Sequence, residues 1–144
     1  MKNTSWIFLF LSVITGFMLA GCDPVDENVT GDDIRDPYIG MWQFVESGFK
    51  STKTQNYMVS ISKDSGNSSQ VLLKNFGNPG IPDISVVGIV TANQIVISSQ
   101  SLSNGWVVEG NGKSTNVNNS SMSWTYSITA GGDKLYYTAT ANRQ

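Results

Sequence analysis

The sequence predicts an all-β domain, a single antiparallel up-and-down β-barrel of about eight strands, with a two-sheet β-sandwich as the alternative. No segment after Gly40 places apolar residues at helical spacing, whereas several segments alternate apolar and polar residues with a period of two. Tight turns join these runs, and no helix-length segment separates them to connect parallel strands. An eight-stranded barrel has an interior just wide enough to be packed with side chains or to hold one small ligand.

The predicted strands are short runs rich in β-branched and aromatic residues. Groups of Asn, Asp, Gly and Pro residues, which favour turns, separate them. The runs span residues 42–49, 57–63, 71–76, 84–91, 94–99, 106–109, 121–129 and 135–141.

Alternation also predicts which side chains face the interior of the barrel. In the run 121–129 the predicted inward residues are Met122, Trp124, Tyr126 and Ile128. The run 84–91 is almost continuously apolar, which predicts burial on both faces or a sheet that curls at Gly88.

Residues 1–21 are predicted to form a signal peptide that is removed, because Lys2 precedes an apolar run that ends in small residues. The run is shorter than the roughly 20 apolar residues of a membrane-spanning helix. Leu19-Ala20-Gly21-Cys22 resembles the lipobox of bacterial lipoproteins. The resemblance implies that Cys22 becomes the acylated N-terminus and that the membrane is a partner through this lipid anchor. An ordinary cleavage site followed by an incidental thiol is the alternative.

Residues 22–36 are predicted to be an acidic flexible tether, and residues 37–144 to be the barrel domain. The tether has one basic and six acidic residues, a net charge of −5, and the domain has seven basic and five acidic residues, a net charge of +2. So few scattered basic residues exclude a nucleic-acid interface. Acidic residues soon after the cysteine resemble the surface-export signals of lipoproteins in Bacteroides-like bacteria. They imply an outer-membrane protein exposed at the cell surface, with a solvated spacer as the alternative.

Gly40-Met41-Trp42 and Arg143 together resemble the calycin families, which include lipocalins, fatty-acid-binding proteins and avidins. In those barrels a first-strand tryptophan closes one end and a late arginine stacks on it, which implies barrel-end closure by Trp42 and Arg143. The chain departs from lipocalins because it is shorter, lacks their Thr-Asp-Tyr motif and has no C-terminal helix. With its lipobox, the whole chain resembles the small lipocalin-like lipoproteins of Bacteroides-like genomes.

The chain contains no histidine, so the usual general base and the commonest metal ligand are missing. We therefore expect no enzyme activity, no cofactor and no metal site. Glu46 and Glu109 would form a carboxylate pair for glycoside chemistry only if both faced one lumen. We expect them instead to be solvated carboxylates on the outer face.

Aromatic residues give the main indication of function, because rings in a barrel offer flat apolar contact and a polar edge to a small amphipathic ligand. The candidate ligand-lining residues are Tyr57, Trp106, Trp124, Tyr126 and Tyr137. The alternative is that these rings form a packed core. In that case the chain is a protein–protein interaction module that contacts an envelope protein through its outer face or through the loop 76–83. An internal cavity favours ligand binding, and a packed interior with an exposed apolar patch favours the interaction module.

Overall fold

The computed structural model describes residues 32–48, 54–81 and 83–144. The predicted signal peptide, Cys22 and most of the predicted tether lie outside the described residues. Within those ranges, no helix has the length and apolar character needed to cross a membrane.

The described part of the chain contains eight strands, preceded by a single turn of 3-10 helix at Asp36–Tyr38. The strands are β1 (Gly40–Gly48), β2 (Thr54–Lys63), β3 (Gln70–Lys74), β4 (Ser85–Thr91), β5 (Gln94–Ser101), β6 (Val107–Ser114), β7 (Ser121–Ala130) and β8 (Asp133–Arg143). Each one overlaps a predicted run, and β6 is the strand that extends furthest beyond its prediction.

The strands form a closed antiparallel barrel in which each strand pairs with the next one along the chain. β8 returns to pair with β1, from Trp42 opposite Arg143 to Gly48 opposite Tyr137. Backbone pairing of β4 with β5 covers only residues 89–91, and beyond it the side-chain amide of Gln100 accepts from the N–H of Val87 and donates to its carbonyl. The predicted up-and-down barrel is confirmed, and the alternative of a β-sandwich is wrong.

The inner face of the barrel follows the period-two alternation of the strands. All four predicted inward residues of β7 are buried. Burial of β4 on both faces, one of the two alternatives predicted for this strand, is wrong: Val86 and Val90 are buried, but Ile89 is 39% exposed. Gly88 faces inward, and a Cβ there would lie 2.4 Å from Cγ2 of Ile95. The neighbouring isoleucine therefore fills the space that a side chain at Gly88 would need.

Residues 33–36, which were predicted to belong to the tether, contact the barrel. Arg35 is only 9% exposed. Its Nη1 donates to the backbone carbonyls of Asp64 at 2.9 Å and Asn67 at 2.7 Å in the β2–β3 turn. Its Nη2 forms an ion pair with Asp33 at 2.8 Å. The docked part of the chain therefore begins before Pro37, the predicted start of the domain.

The two ends of the barrel differ. We call the end covered by residues 33–38 the cap end, and the end that carries the β3–β4 loop and the β7–β8 turn the loop end. β1 runs from the cap end to the loop end, so Trp42 lies near the cap and Glu46 lies near the loops.

Candidate functional site

Trp42 and Arg143 meet at the cap end. The guanidinium of Arg143 lies over the indole of Trp42, 5.2 Å from the ring centroid, within the range of a cation–π contact. Arg143 also donates to the backbone carbonyl of Pro37, and Nε1 of Trp42 donates to the carbonyl of Tyr38 at 2.9 Å. The 3-10 turn, the indole and the guanidinium thus lie together across this end.

Six aromatic rings contact one another inside the barrel. The rings of Phe44 and Tyr57 are 5.6 Å apart, as are those of Phe44 and Trp124. Tyr126 and Tyr137 stack at 5.3 Å. Phe76 completes the set: its ring centroid lies 4.7 Å from that of Tyr126, 5.2 Å from that of Trp124 and 5.9 Å from that of Phe44. The interior around these residues is packed rather than open.

Phe76 differs from the other five rings because it lies on the β3–β4 loop and not on a strand. It is 1% exposed. Its neighbours Asn75 and Gly77 both have positive φ, +66° and +73°, a conformation that Asn and Gly tolerate best. The amide of Asn75 donates to the carbonyl of Met58 at 2.8 Å. The loop therefore turns back into the barrel and inserts one ring among those of the strands.

The strands make room for these rings with glycines on β6. Gly112 pairs with Trp124, and Gly110 pairs with Tyr126. A Cβ on Gly112 would lie 2.1 Å from Cε2 of Trp124, and one on Gly110 would lie 2.4 Å from Cβ of Tyr126. The two large residues of β7 thus lie against backbone that carries no side chain.

Glu46 is buried on the inner face of β1, next to the tyrosines. It is 6% exposed, and its Oε2 accepts hydrogen bonds from Tyr57 Oη at 2.8 Å and from Tyr126 Oη. The two hydroxyl oxygens are 3.0 Å apart. We call Glu46, Tyr57 and Tyr126 the acid–tyrosine cluster.

The tyrosines of the cluster remain hydrogen-bond donors. Burial raises the pKa of Tyr57 and the pKa of Tyr126 far above the ordinary tyrosine value. Burial also raises the pKa of Tyr137, which stacks on Tyr126. All three hydroxyls therefore keep their protons at neutral pH, and those of Tyr57 and Tyr126 can donate to Glu46.

The expectation that Glu46 is a solvated outer-face residue is wrong, whereas Glu109 does lie on the outer face. Lys134 Nζ is 2.5 Å from Glu109 Oε1, and its charge and hydrogen bond lower the pKa of Glu109. The two carboxylates do not share a lumen. The alternation along β1 predicts an inward side chain at position 46, because Glu46 lies two residues after Phe44 and four after Trp42, which both face inward.

Four of the five predicted ligand-lining residues belong to the ring network: Tyr57, Trp124, Tyr126 and Tyr137. Trp106 is half-buried and packs at the edge of the core. Its ring lies near Gly77, where an added Cβ would be 3.8 Å from Cζ3. The sequence predicts Phe76 as the last residue of a strand and the first residue of the loop 76–83, and neither prediction places its ring inside the barrel. Whether any of these residues contacts a ligand stays a prediction.

Two buried polar atoms among the described residues have no hydrogen-bond partner: Nε1 of Trp124 and Oη of Tyr38. Trp124 is fully buried in the ring network, and Tyr38 is buried at the cap end. A buried donor without an acceptor costs about 1–3 kcal/mol. A ligand that carries an acceptor would remove this cost at Trp124.

The grooves lined by described residues include two of similar size on the surface. The first has a volume of about 420 Å³ and is lined by Met41, Met58, Ser60, Lys74, Asn75, Gly80 and Ile81. The second has a volume of about 480 Å³ and is lined by Ser47, Gly48, Thr125, Tyr136, Tyr137 and Thr138. Three apolar side chains of the first groove, Met41, Met58 and Ile81, are exposed. The described residues include no cluster of acidic, histidine or cysteine side chains suited to a metal ion.

No family model matches this chain, and no curated protein matches it. Solved structures that match include a redesigned β-barrel, b11L5F_LGL, with 12% identity over 78% of this chain and 96% of that one, at a TM-score of 0.57. EF1p2_mFAP2b, solved bound to DFHBI, matches with 13% identity over 78% of this chain and 98% of that one, at a TM-score of 0.53. A Bacteroides ovatus protein of unknown function matches with 16% identity over 75% of this chain and 42% of that one, at a TM-score of 0.45. The third likeness is too weak to support an argument. The first two show that this chain shares the fold of small β-barrels.

Proposed function

We propose that this chain is a lipid-anchored envelope protein whose barrel binds one small amphipathic molecule and performs no chemistry on it. The binding site is the interior near the loop end, where Phe76 and the acid–tyrosine cluster lie. The anchor is an acylated Cys22, and the proposed location is the outer membrane.

The anchor proposal is supported by Leu19-Ala20-Gly21-Cys22, which follows an apolar leader and contains the only cysteine of the chain. Several acyl chains on one residue anchor a protein stably, because each buried methylene contributes about 0.8 kcal/mol. Labelled palmitate should enter the wild-type protein and not Cys22→Ala, and Cys22→Ala should leave the membrane fraction. A Cys22→Ala protein that stays membrane-bound contradicts the anchor. Protease treatment of intact cells tests whether the domain faces outward.

The observation that carries the ligand proposal is the loop origin of Phe76. A ring that belongs to a strand cannot leave the interior without breaking backbone pairing, but a ring on a loop can leave while the barrel stays closed. Asn75 and Gly77, which flank Phe76, have positive φ angles that few other residue types adopt. A ligand that takes the place of Phe76 would contact the rings of Phe44, Trp124 and Tyr126.

The amphipathic character of the proposed ligand follows from the polar groups around this position. Nε1 of Trp124 offers a donor without an acceptor. The ring of Phe76 contacts the ring of Tyr126, whose hydroxyl donates to Glu46 in the acid–tyrosine cluster. Burying a carboxylate costs several kcal/mol unless it is well paired.

Native mass spectrometry of the acylated protein from its own membrane tests the anchor and the ligand together. We expect the mass of the lipidated chain plus a discrete small molecule that leaves on denaturation. A matched sample of Phe76→Ala, with the interior position vacated, should retain more of that molecule. If both proteins carry only the lipid, the internal-ligand proposal fails while the anchor stands.

EF1p2_mFAP2b, whose structure was solved bound to DFHBI, shares the barrel fold at 13% identity. That identity supports the fold alone, and nothing about DFHBI is carried to this chain. The ligand proposal rests on the residues described above.

The alternative function is a protein–protein interaction module with a filled barrel. The packed ring network and the outer groove lined by Met41, Met58 and Ile81 favour it, because exposed apolar patches often mark contact sites. Cross-linking in intact cells with a photoreactive group at position 58 tests this alternative. A single partner captured there, but not from a group at Thr138 on β8, two strands away, would support it.

A further inference from the structure

The geometry points to a ligand that carries a protonated amine, bound with its ammonium group at Glu46 and its apolar body in the place of Phe76. This inference rests on the proposed function and names the chemical class of the molecule. Its basis is a buried carboxylate surrounded by aromatic rings.

The carboxylate of Glu46 lies at the hydroxyl ends of two tyrosine rings. Among the described residues, Tyr57 and Tyr126 both donate to the same oxygen, Oε2. The rings of these tyrosines, with Phe44 stacked on Tyr57 and Tyr137 stacked on Tyr126, form the surrounding wall. Opposite charges attract more strongly away from water, so rings that exclude water strengthen the attraction between this carboxylate and an ammonium group.

Of the six basic side chains in the described ranges, five contact groups other than Glu46, and the sixth, Lys113, is exposed on β6. Lys63 contacts Asp33 and Asp36 at the cap end, and Lys74 pairs with Asp83. Lys134 pairs with Glu109 on the outer face, Arg35 with Asp33, and Arg143 lies over Trp42. In the described part of the chain, the donors that reach the buried carboxylate are neutral tyrosine hydroxyls. A cationic ligand would supply the opposite charge that makes burial of a carboxylate favourable.

A matched pair of probes separates the charge from the apolar body. 2-Phenylethylamine and 2-phenylethanol carry the same phenyl ring, which is the ring of Phe76 itself, on the same two-carbon spacer. They differ in one polar group, a cation in the amine and a neutral hydroxyl in the alcohol. Binding of either probe tests the proposed interior site, and the ratio of the two affinities tests the inference about charge.

The experiment titrates both probes into the full chain as wild type and as Phe76→Ala, and follows the indole N–H signals of the tryptophans. We expect both probes to bind Phe76→Ala and to shift one buried indole signal, with the amine bound on the order of tenfold more tightly. Glu46→Gln keeps the size and an acceptor but removes the charge, so it should abolish the preference for the amine. Glu109→Gln removes one carboxylate from the outer face and serves as the control, which should leave the preference unchanged.

The outcomes distinguish a failure of the inference about the ligand's charge from a failure of the proposed interior site. Equal affinities for amine and alcohol, or a preference that survives Glu46→Gln, overturn the inference and leave the interior site standing. Failure of both probes to bind a folded Phe76→Ala overturns the proposed function and the inference with it. If Phe76→Ala does not fold, the same ratio is measured in Phe76→Leu and in the wild type. In each protein both probes meet the same residue at position 76, so its effect cancels from the ratio.

Discussion

The substitution Gly112→Ala tests the placement of Trp124 directly. A Cβ at position 112 would lie 2.1 Å from Cε2 and 2.4 Å from Cδ2 and Cζ2 of the indole, whereas carbon atoms in contact are about 3.5–4.0 Å apart. The indole would have to move by more than about 1 Å. It is fully buried, and its ring contacts those of Phe44 and Phe76. Overpacking costs about 1–3 kcal/mol, and we expect the upper end here because the ring is rigid and enclosed.

Urea unfolding followed by far-UV circular dichroism measures this loss, which should also lower the Tm by roughly 10–20 °C. Gly66→Ala is the control, because a Cβ there meets only Asp64 Oδ1 at 3.5 Å, and its effect should stay within about 0.5 kcal/mol. In a Trp124→Phe background the smaller ring should reduce the cost of Gly112→Ala. The same cost in both backgrounds, or no cost in the wild type, would refute the placement of the indole over Gly112.

Other substitutions and conditions test the tyrosines, the loop ring and the cap. Burial raises the folded-state pKa of Tyr57 and Tyr126 above the unfolded value of about 10. Stability should therefore be complete below pH 10 and fall above it, by about 1.4 kcal/mol per pH unit for each tyrosine. Tyrosinate absorbance measured with urea unfolding checks this, and full ionisation of an intact barrel near pH 10 contradicts it. Phe76→Ala should lower the free energy of unfolding by about 3–5 kcal/mol, whereas Ile81→Ala in the same loop, 46% exposed, should change it by less than about 0.5 kcal/mol; equal losses would show that Phe76 is not inside the barrel. Arg143→Ala removes the cation–π contact and should cost about 1 kcal/mol in the same assay, and an unchanged midpoint would mean that the guanidinium does not stabilise the cap end.

The strand order of the barrel was predictable because each strand carries its own signal. β7 alternates large apolar residues with serine and threonine, and its predicted inner residues are all buried. Tight turns between successive strands favour antiparallel neighbours. Closure itself was only one of two predictions, since strand count and alternation are the same in a sandwich. The pairing of β1 with β8 is a long-range contact that no local pattern encodes.

The candidate site was harder to predict, because its central residues break the usual rules for their type. Glu46 has the inward parity of Trp42 and Phe44, but carboxylates are almost never fully buried unless they are paired. Its pairing depends on Tyr57 and Tyr126, which come from two other strands. The buried Glu46 therefore follows from tertiary structure, and residue type alone predicted the opposite.

Phe76 was placed in a strand because it follows an apolar run, and strand ends are the least certain part of such predictions. β3 ends at Lys74, and the positive φ of Asn75 turns the chain inward. A ring that enters the core from a loop has no periodic signature. Arg35 was also impossible to place from local sequence. An acidic stretch with few apolar residues predicts a tether, yet the guanidinium of Arg35 donates to backbone carbonyls of the β2–β3 turn.

The distribution of small residues explains why a loop ring is present in the interior at all. On the inner face, β6 offers Gly110 and Gly112, and β8 offers Ala139 and Ala141, and the large side chains of Trp124 and Tyr126 on β7 lie between these small residues. Phe76 fills what remains, and any interior ligand must displace it. Re-exposing a phenylalanine side chain costs about 1.5–3 kcal/mol, which weakens the affinity of the wild type by roughly 10- to 150-fold relative to a barrel whose interior position is vacant. The affinity of one probe for Phe76→Ala divided by its affinity for the wild type therefore measures the energy with which the loop closes the site.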